Sequence, residues 1–144
     1  MRLKNKIAII TGSASGFGKG IAKKFSEEGA KLILVDINSN LLKKVSKSLS
    51  QDHFVADVSK DSNFKSLLKY VFKKYKKVDI IVNNAGITHK PKKMESVTAK
   101  EFDKVFNVNA KSVYLSAKYF VPKMKQMKRG VILNVASTAG LSPR

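Results

Sequence analysis

Apolar positions follow two alternating rhythms along the chain. Four short runs, Lys6 to Ile10, Leu32 to Val35, Val78 to Val82 and Val131 to Ala136, are apolar almost throughout, as strands buried on both faces are, and a weaker fifth spans His53 to Ala56. Between them, Phe17 to Glu28, Asn40 to Leu49, Ser62 to Tyr75 and a long stretch from about Thr98 to Met127 place apolar residues at helical spacing. Strand and helix therefore alternate, which predicts parallel strands joined by right-handed crossovers, an α/β fold with a doubly wound parallel sheet. Local signals agree: Glu28-Gly29-Ala30 closes the first helix, Thr98-Ala99-Lys100-Glu101 is a capping-box pattern, and Pro122 should kink the last helix or mark its final turns. In that helix Phe102, Phe106, Val113, Ala117, Phe120 and Met124 form one apolar stripe, on which Asn109 falls. No internal repeat, low-complexity tract or linker interrupts the series.

A length of 144 residues fits one domain whose core needs neither metal nor disulfide, and the chain holds no cysteine. No charged-then-apolar leader is present and lysines interrupt every apolar segment, so the expectation is a cytoplasmic protein without a membrane partner. The net charge of +19 and a pI near 10.2 raise the question of nucleic acid. Its distribution answers against that partner. Only Arg2, Arg129 and Arg144 of the 29 basic residues are arginine, and the densest block, Lys73 to Lys77, lies at a helix end where cations suit the dipole.

Candidate chemistry begins at Thr11-Gly12-Ser13-Ala14-Ser15-Gly16-Phe17-Gly18, where a strand hands over to a helix. Gly12 permits a tight turn, Gly16 lets the backbone approach a diphosphate, and Gly18 allows helix and strand to pack closely, while the helix offers its free amides to the anion. Asp36 closes the second strand at the distance where a carboxylate can accept both ribose hydroxyls of an adenosine and repel a 2′-phosphate. NAD is therefore expected over NADP, although Lys19 adds a cation nearby.

Thr11-Gly12-xxx-Gly16-x-Gly18, Asp57-Val58, Asn83-Asn84-Ala85-Gly86, Asn109 and Ser137 resemble, in order and spacing, the motif series of the short-chain dehydrogenases/reductases. The resemblance spans the whole chain. It implies a single NAD(P)-binding Rossmann domain over residues 1–144, with Ser15, Phe17 and Ile37 also against the cofactor. It further implies that Asp57 accepts the adenine amino group beside an apolar wall from Val58, and that Asn84, Ala85 and Gly86 run past the ribose, while Asn83 ties neighbouring strands. Ser137 would hydrogen-bond the substrate, and the backbone carbonyl of Asn109, in a locally distorted helix, would hold a water of a proton relay. A small-molecule alcohol or ketone, a hydride transfer between them and a homo-oligomeric full-length protein follow from the same kinship; no metal site is expected.

One part of the pattern is missing. The family's tyrosine base and the lysine four residues after it belong beyond the serine, and only Thr138 to Arg144 follow Ser137. Tyr70/Lys74, Tyr114/Lys118 and Tyr119/Lys123 have the spacing but precede the serine, on the wrong helices. We therefore expect a sheet cut short after its fifth strand, with an unprotected edge, in a C-terminally incomplete domain inactive by itself. The alternative is a non-catalytic NAD-binding module that lacks the Tyr/Lys pair.

Overall fold

In the computed structural model, which describes residues 1–138, the strands are β1 (Ile7–Thr11), β2 (Lys31–Asp36), β3 (Asp52–Val55), β4 (Ile80–Asn83) and β5 (Val131–Asn134). They form one parallel sheet in the order β3-β2-β1-β4-β5, with Ile9 opposite both Ile33 and Ile81 at its centre. The chain starts in the middle, winds outward to β3, then returns across β1 to β4 and β5. That reversal opens a crevice at the carboxyl ends of β1 and β4.

Alternation along the central strands divides the core. Ile7, Ile9, Ile33, Val35 and Ile81 face one side, where α3 (Asp61–Tyr75) and α5 (Ser112–Gln126) supply Phe64, Leu67, Val71, Leu115 and Phe120. Ala8, Ile10, Leu32, Leu34 and Val82 face the other, against Ala22 of α1 (Gly16–Glu27) and Leu42 and Val45 of α2 (Ser39–Leu49). Both faces of β1 and β2 are thus dry, as their continuous apolar runs require.

The outermost strand is the unprotected edge expected of a sheet that ends at its fifth strand, and it is not buried on both faces as its run alone suggests. Although Val131 to Ala136 is apolar except at Asn134, only Ile132 packs into the core, while Val131, Leu133 and Val135 are 59%, 48% and 42% exposed. The reason is position: among the described residues β5 pairs with β4 alone, and α1 and α2 lie over β1, β2 and β3 on the face to which those residues point.

The long helix is also not one rod. It consists of α4 (Ala99–Phe106), a π-helical turn (Asn107–Lys111) and α5. A π turn holds about one residue more than an α turn and rotates everything after it by roughly 100°. The single stripe from Phe102 to Met124 is broken accordingly. Phe102 and Phe106 are 55% and 56% exposed and stack on each other, whereas the buried face of α5 is Ser112, Leu115, Ser116, Phe120 and Met124. Asn109, which falls on that stripe, is exposed and lies within the π turn, a local distortion of the kind the resemblance implies. Pro122 lies inside α5 and the helix continues to Gln126.

Where β1 ends, Gly12 adopts φ +65°, and α1 begins so close to it that a Cβ on Gly18 would collide with the Gly12 carbonyl oxygen and lie 2.5 Å from the Asn84 amide nitrogen. The Asn84 side chain donates to the carbonyls of Thr11 (2.9 Å) and Gly12 (3.3 Å). The Thr11 hydroxyl accepts the backbone amides of Asn84 and Ala85, both at 3.0 Å, and donates to the Val82 carbonyl. Gly18 therefore serves the packing of helix on turn rather than of helix on strand.

Two tests follow from these contacts. Gly18→Ala should cost about 1–3 kcal/mol by overpacking, whereas Gly20→Ala on the same helix, where a Cβ meets nothing within 4 Å, should gain up to about 1 kcal/mol; urea unfolding of both variants measures the contrast. The second concerns the capping box of α4, formed as the sequence predicts, in which Thr98 Oγ1 accepts the Glu101 amide at 3.3 Å and Glu101 Oε2 accepts the Thr98 amide at 2.9 Å. The Lys92 ammonium and the two Thr98 donors hold the Glu101 carboxyl down at about 2, from an ordinary 4.5. A lowered folded-state pKa stabilises the fold above the unfolded value, so this contribution is complete above pH 4.5 and fades as pH falls toward 2. Carboxyl-carbon NMR of Glu101 should titrate near pH 2; a midpoint at the ordinary value would refute the pairing.

Candidate functional site

The carboxyl ends of the strands meet in a cavity of about 750 Å³. Each wall comes from a different crossover. Gly12, Ser15 and Phe17 come from the β1–α1 turn, Asp36 and Ile37 from the end of β2, Ala56 to Lys60 from the loop after β3, and Asn84 to Ile87 from the loop after β4. Lys104, Asn107 and Val108, from α4 and the π turn, complete it. Of the residues singled out by sequence, Gly12, Ser15, Phe17, Asp36, Ile37, Asp57, Val58, Asn84, Ala85 and Gly86 are brought together here.

Gly16 and Gly18 lie beside the cavity rather than on its wall. Gly16 has φ +52° and open space where a Cβ would stand, while Gly18 is spent on the turn contact. Ser15 precedes α1 without a side-chain cap, and the first turn of α1 has no acidic residue. Nothing in that turn offsets the positive end of the helix, so the site suits an anion.

Asp36 and Asp57 are held by backbone before any ligand is considered. The two oxygens of Asp36 accept the amides of Ala14 (3.0 Å) and Asn38 (2.9 Å), which brace the glycine turn against the start of α2. Asp57 Oδ1 accepts both the amide (2.9 Å) and hydroxyl (2.6 Å) of Ser59, and the Asp57 amide donates to Asn63. Each carboxylate keeps lone pairs for further donors. Val58 is buried at 8% exposure, whereas Phe17 and Ile37 stand 84% and 68% exposed at the cavity.

The asparagines divide their work in a way the sequence only partly shows. Asn83 donates to the Asn134 side chain at 2.9 Å and so ties β4 to β5. Asn84, expected to run past a ribose, has its amide nitrogen committed to the glycine turn, which leaves Ala85 and Gly86 as the smooth part of that wall. Asn109 clamps Ile87 in both directions, accepting its amide and donating to its carbonyl, each at 2.9 Å. The helix thereby holds the root of the loop that follows the Asn84–Gly86 wall. Asn109 adjoins Gly86 but does not line the cavity, and Ser137 is exposed just after β5.

Tyr–Lys pairs at the catalytic spacing are tied to carboxylates elsewhere. Tyr70, Lys74 and Tyr75 converge on Asp52, and burial, then the Asp52 charge, pushes the Tyr70 hydroxyl up. Lys118 and Tyr119 converge on Asp61, whose hydrogen bond raises Tyr119 in turn. Lys123 lies over the ring of Phe72. These shifts oppose tyrosinate formation, so neither tyrosine is prepared as a base near neutral pH.

Sequence reasoning did not find Ala56, Ile87, Ser59, Lys60, Lys104, Asn107 and Val108 on the cavity wall; Ala56 and Ile87 only flank the motifs beside them. Ser59 and Lys60 merely continue Asp57-Val58; the other three depend on the π turn, for which helical periodicity carries no signal. Among the described residues no cluster suited to a metal occurs, and no helix is long and apolar enough to cross a membrane.

The family model described as short chain dehydrogenase matches residues 6–144. The 4-formylbenzenesulfonate dehydrogenase of Comamonas testosteroni is 38% identical over 148 residues, covering 99% of this chain and 59% of that enzyme. The 3-oxoacyl-(acyl-carrier-protein) reductase of Thermotoga maritima is 36% identical over 146 residues, covering 98% of this chain and 59% of its own. Among solved structures, a 3-ketoacyl-(acyl-carrier-protein) reductase from Brucella melitensis, complexed with NADH, superposes with a TM-score of 0.93 at 40% identity, covering 99% of this chain and 61% of that one. The chain spans 59% of the length of each of these two curated relatives. Because the family match takes in all five strands and every wall of the cavity, this chain belongs to the short-chain dehydrogenase family, oxidoreductases that bind NAD or NADP.

Proposed function

We propose that residues 1–144 form one nucleotide-binding domain that takes NAD into this cavity, as the cofactor part of an enzyme interconverting a secondary alcohol and a ketone. The observation that carries the reading is the convergence of a glycine turn, two backbone-braced carboxylates and a smooth Ala85–Gly86 wall around one cavity at the carboxyl ends of parallel strands. When bound, the nicotinamide supplies or takes the hydride.

The residues present fit such a group. The open space at Gly16 and the uncompensated start of α1 suit the diphosphate. Asp36 retains lone pairs for the ribose hydroxyls, and its charge disfavours a 2′-phosphate, which is the ground for preferring NAD. Asp57 Oδ2 is open to the adenine amino group, with Val58 as the apolar neighbour. Both curated relatives carry names that describe chemistry at a carbonyl carbon, one a formyl and one a 3-oxo group. On this reading Ser137 hydrogen-bonds the reacting oxygen. Asn109 lies within the π turn, where the regular α-helical hydrogen-bond ladder is interrupted, so its backbone carbonyl suits the water of a proton relay.

Titration with NADH, followed by its fluorescence, tests the cofactor assignment. The chain should bind NADH more tightly than NADPH, and Asp36→Ala should weaken NADH and narrow the gap; an unchanged preference would remove Asp36 from the role. Turnover is a separate matter. With Tyr70 and Tyr119 bound to carboxylates, these 144 residues alone should produce no NADH from NAD and secondary alcohols, and alcohol-dependent absorbance at 340 nm would overturn that expectation.

A further inference from the structure

The cavity wall carries one amide that the protein itself leaves unpaired. Asn107 opens the π turn and lines the cavity half-buried, yet its side chain makes no hydrogen bond among the described residues. The other described asparagines that are not exposed are all engaged: Asn63 accepts the Asp57 amide, Asn83 donates to Asn134, and Asn84 donates to the glycine turn. Asn109, two residues further along the same turn, commits both ends of its amide to Ile87. Asparagine is a poor helix former, and a half-buried amide without a partner loses hydration without compensation. Such a group fits a position that a ligand completes.

The π turn belongs to one particular end of the cavity. Val108, the next residue, packs on the apolar cluster that contains Ala56 and Val58 of the loop after β3, and Ala85 lies against the same cluster. That is the Asp57–Val58 end, whereas the diphosphate is assigned to the start of α1. We propose that Asn107 is a second base-reading residue, which donates from Nδ2 to a ring nitrogen beside the adenine amino group and accepts one amino hydrogen at Oδ1, while Asp57 accepts the other. The inference rests on reading the cavity as a dinucleotide site with the adenine at Asp57. A carboxylate only accepts, so Asp57 by itself leaves the ring nitrogens, which are acceptors, without a partner. An amide brings donor and acceptor together in the spacing that an adenine edge presents. Lys60 and Lys104 also line the cavity, but they are exposed and offer donors only.

The test displaces NADH, followed by its fluorescence, with ADP and with the 1-deaza and 7-deaza analogues of ADP, in each of which C–H replaces one ring nitrogen beside the amino group. In the unaltered chain one of the two analogues should bind about fivefold more weakly than ADP, the effect of one neutral hydrogen bond. Asn107→Leu, similar in size and a better helix former, should weaken ADP by a similar factor and bind ADP and that analogue equally. Equal binding of ADP and both analogues by the unaltered chain would overturn the proposal without any variant. Uniform weakening of all three by Asn107→Leu, with the discrimination preserved, would overturn it too, because a merely structural role has that outcome. In either case NADH still binds and the dinucleotide reading stands. If the unaltered chain failed to bind NADH at all, both readings would fall.

Discussion

The ligand-facing end of this fold depends on one missing side chain. At position 18 there is no room for a Cβ between the Gly12 carbonyl and the Asn84 amide. That close approach lets Asn84 reach two carbonyls of the β1–α1 turn, lets Thr11 accept two amides from the β4 loop, and so locks the ends of two adjacent parallel strands together. Strand ends in a parallel sheet need such links, because the crossovers that follow diverge to opposite faces. The cavity is the space left between crossovers once their starting points are fixed.

Backbone bracing then determines how the polar groups can serve. Asp36 binds two amides across its own turn, and Asp57 binds Ser59 while its amide is held by Asn63. Carboxylates held in this way already point in defined directions, and a ligand has little to reorganise.

Much of this was legible in the residues, and what was not has physical causes. Thr11 to Gly18, Asp36 and Asp57-Val58 are local signals: a turn needing positive φ, an acid at a strand end, an acid with its apolar neighbour. They were found because each works through its own segment. Asn84 lines the cavity as the motif suggests, while its contacts with Thr11 and Gly12, which span more than seventy residues of chain, carry no local signal. The exposed face of β5 follows from a sheet that ends at its fifth strand, although the apolar run alone does not disclose whether helices cover both of its faces. Asn109 falls on the apolar stripe only while a 3.6-residue period is carried through a turn that does not obey it; the local distortion that the resemblance implied there is the π turn, and the same turn hides Asn107 and Val108 from a periodicity reading.

The π turn also separates two sets of constraints within one continuous helix. Before it, α4 has no buried residue and contributes Lys104 to the cavity; after it, α5 contributes Leu115, Phe120 and Met124 to the core. The first half thus meets the ligand wall through Lys104, and no residue of the second half lines that cavity. A regular helix of the same length would couple the two, since each change of phase at one end would carry to the other. The wide turn thus works as a joint between a ligand-facing and a core-facing half of one helix, with Val108 the residue that touches both.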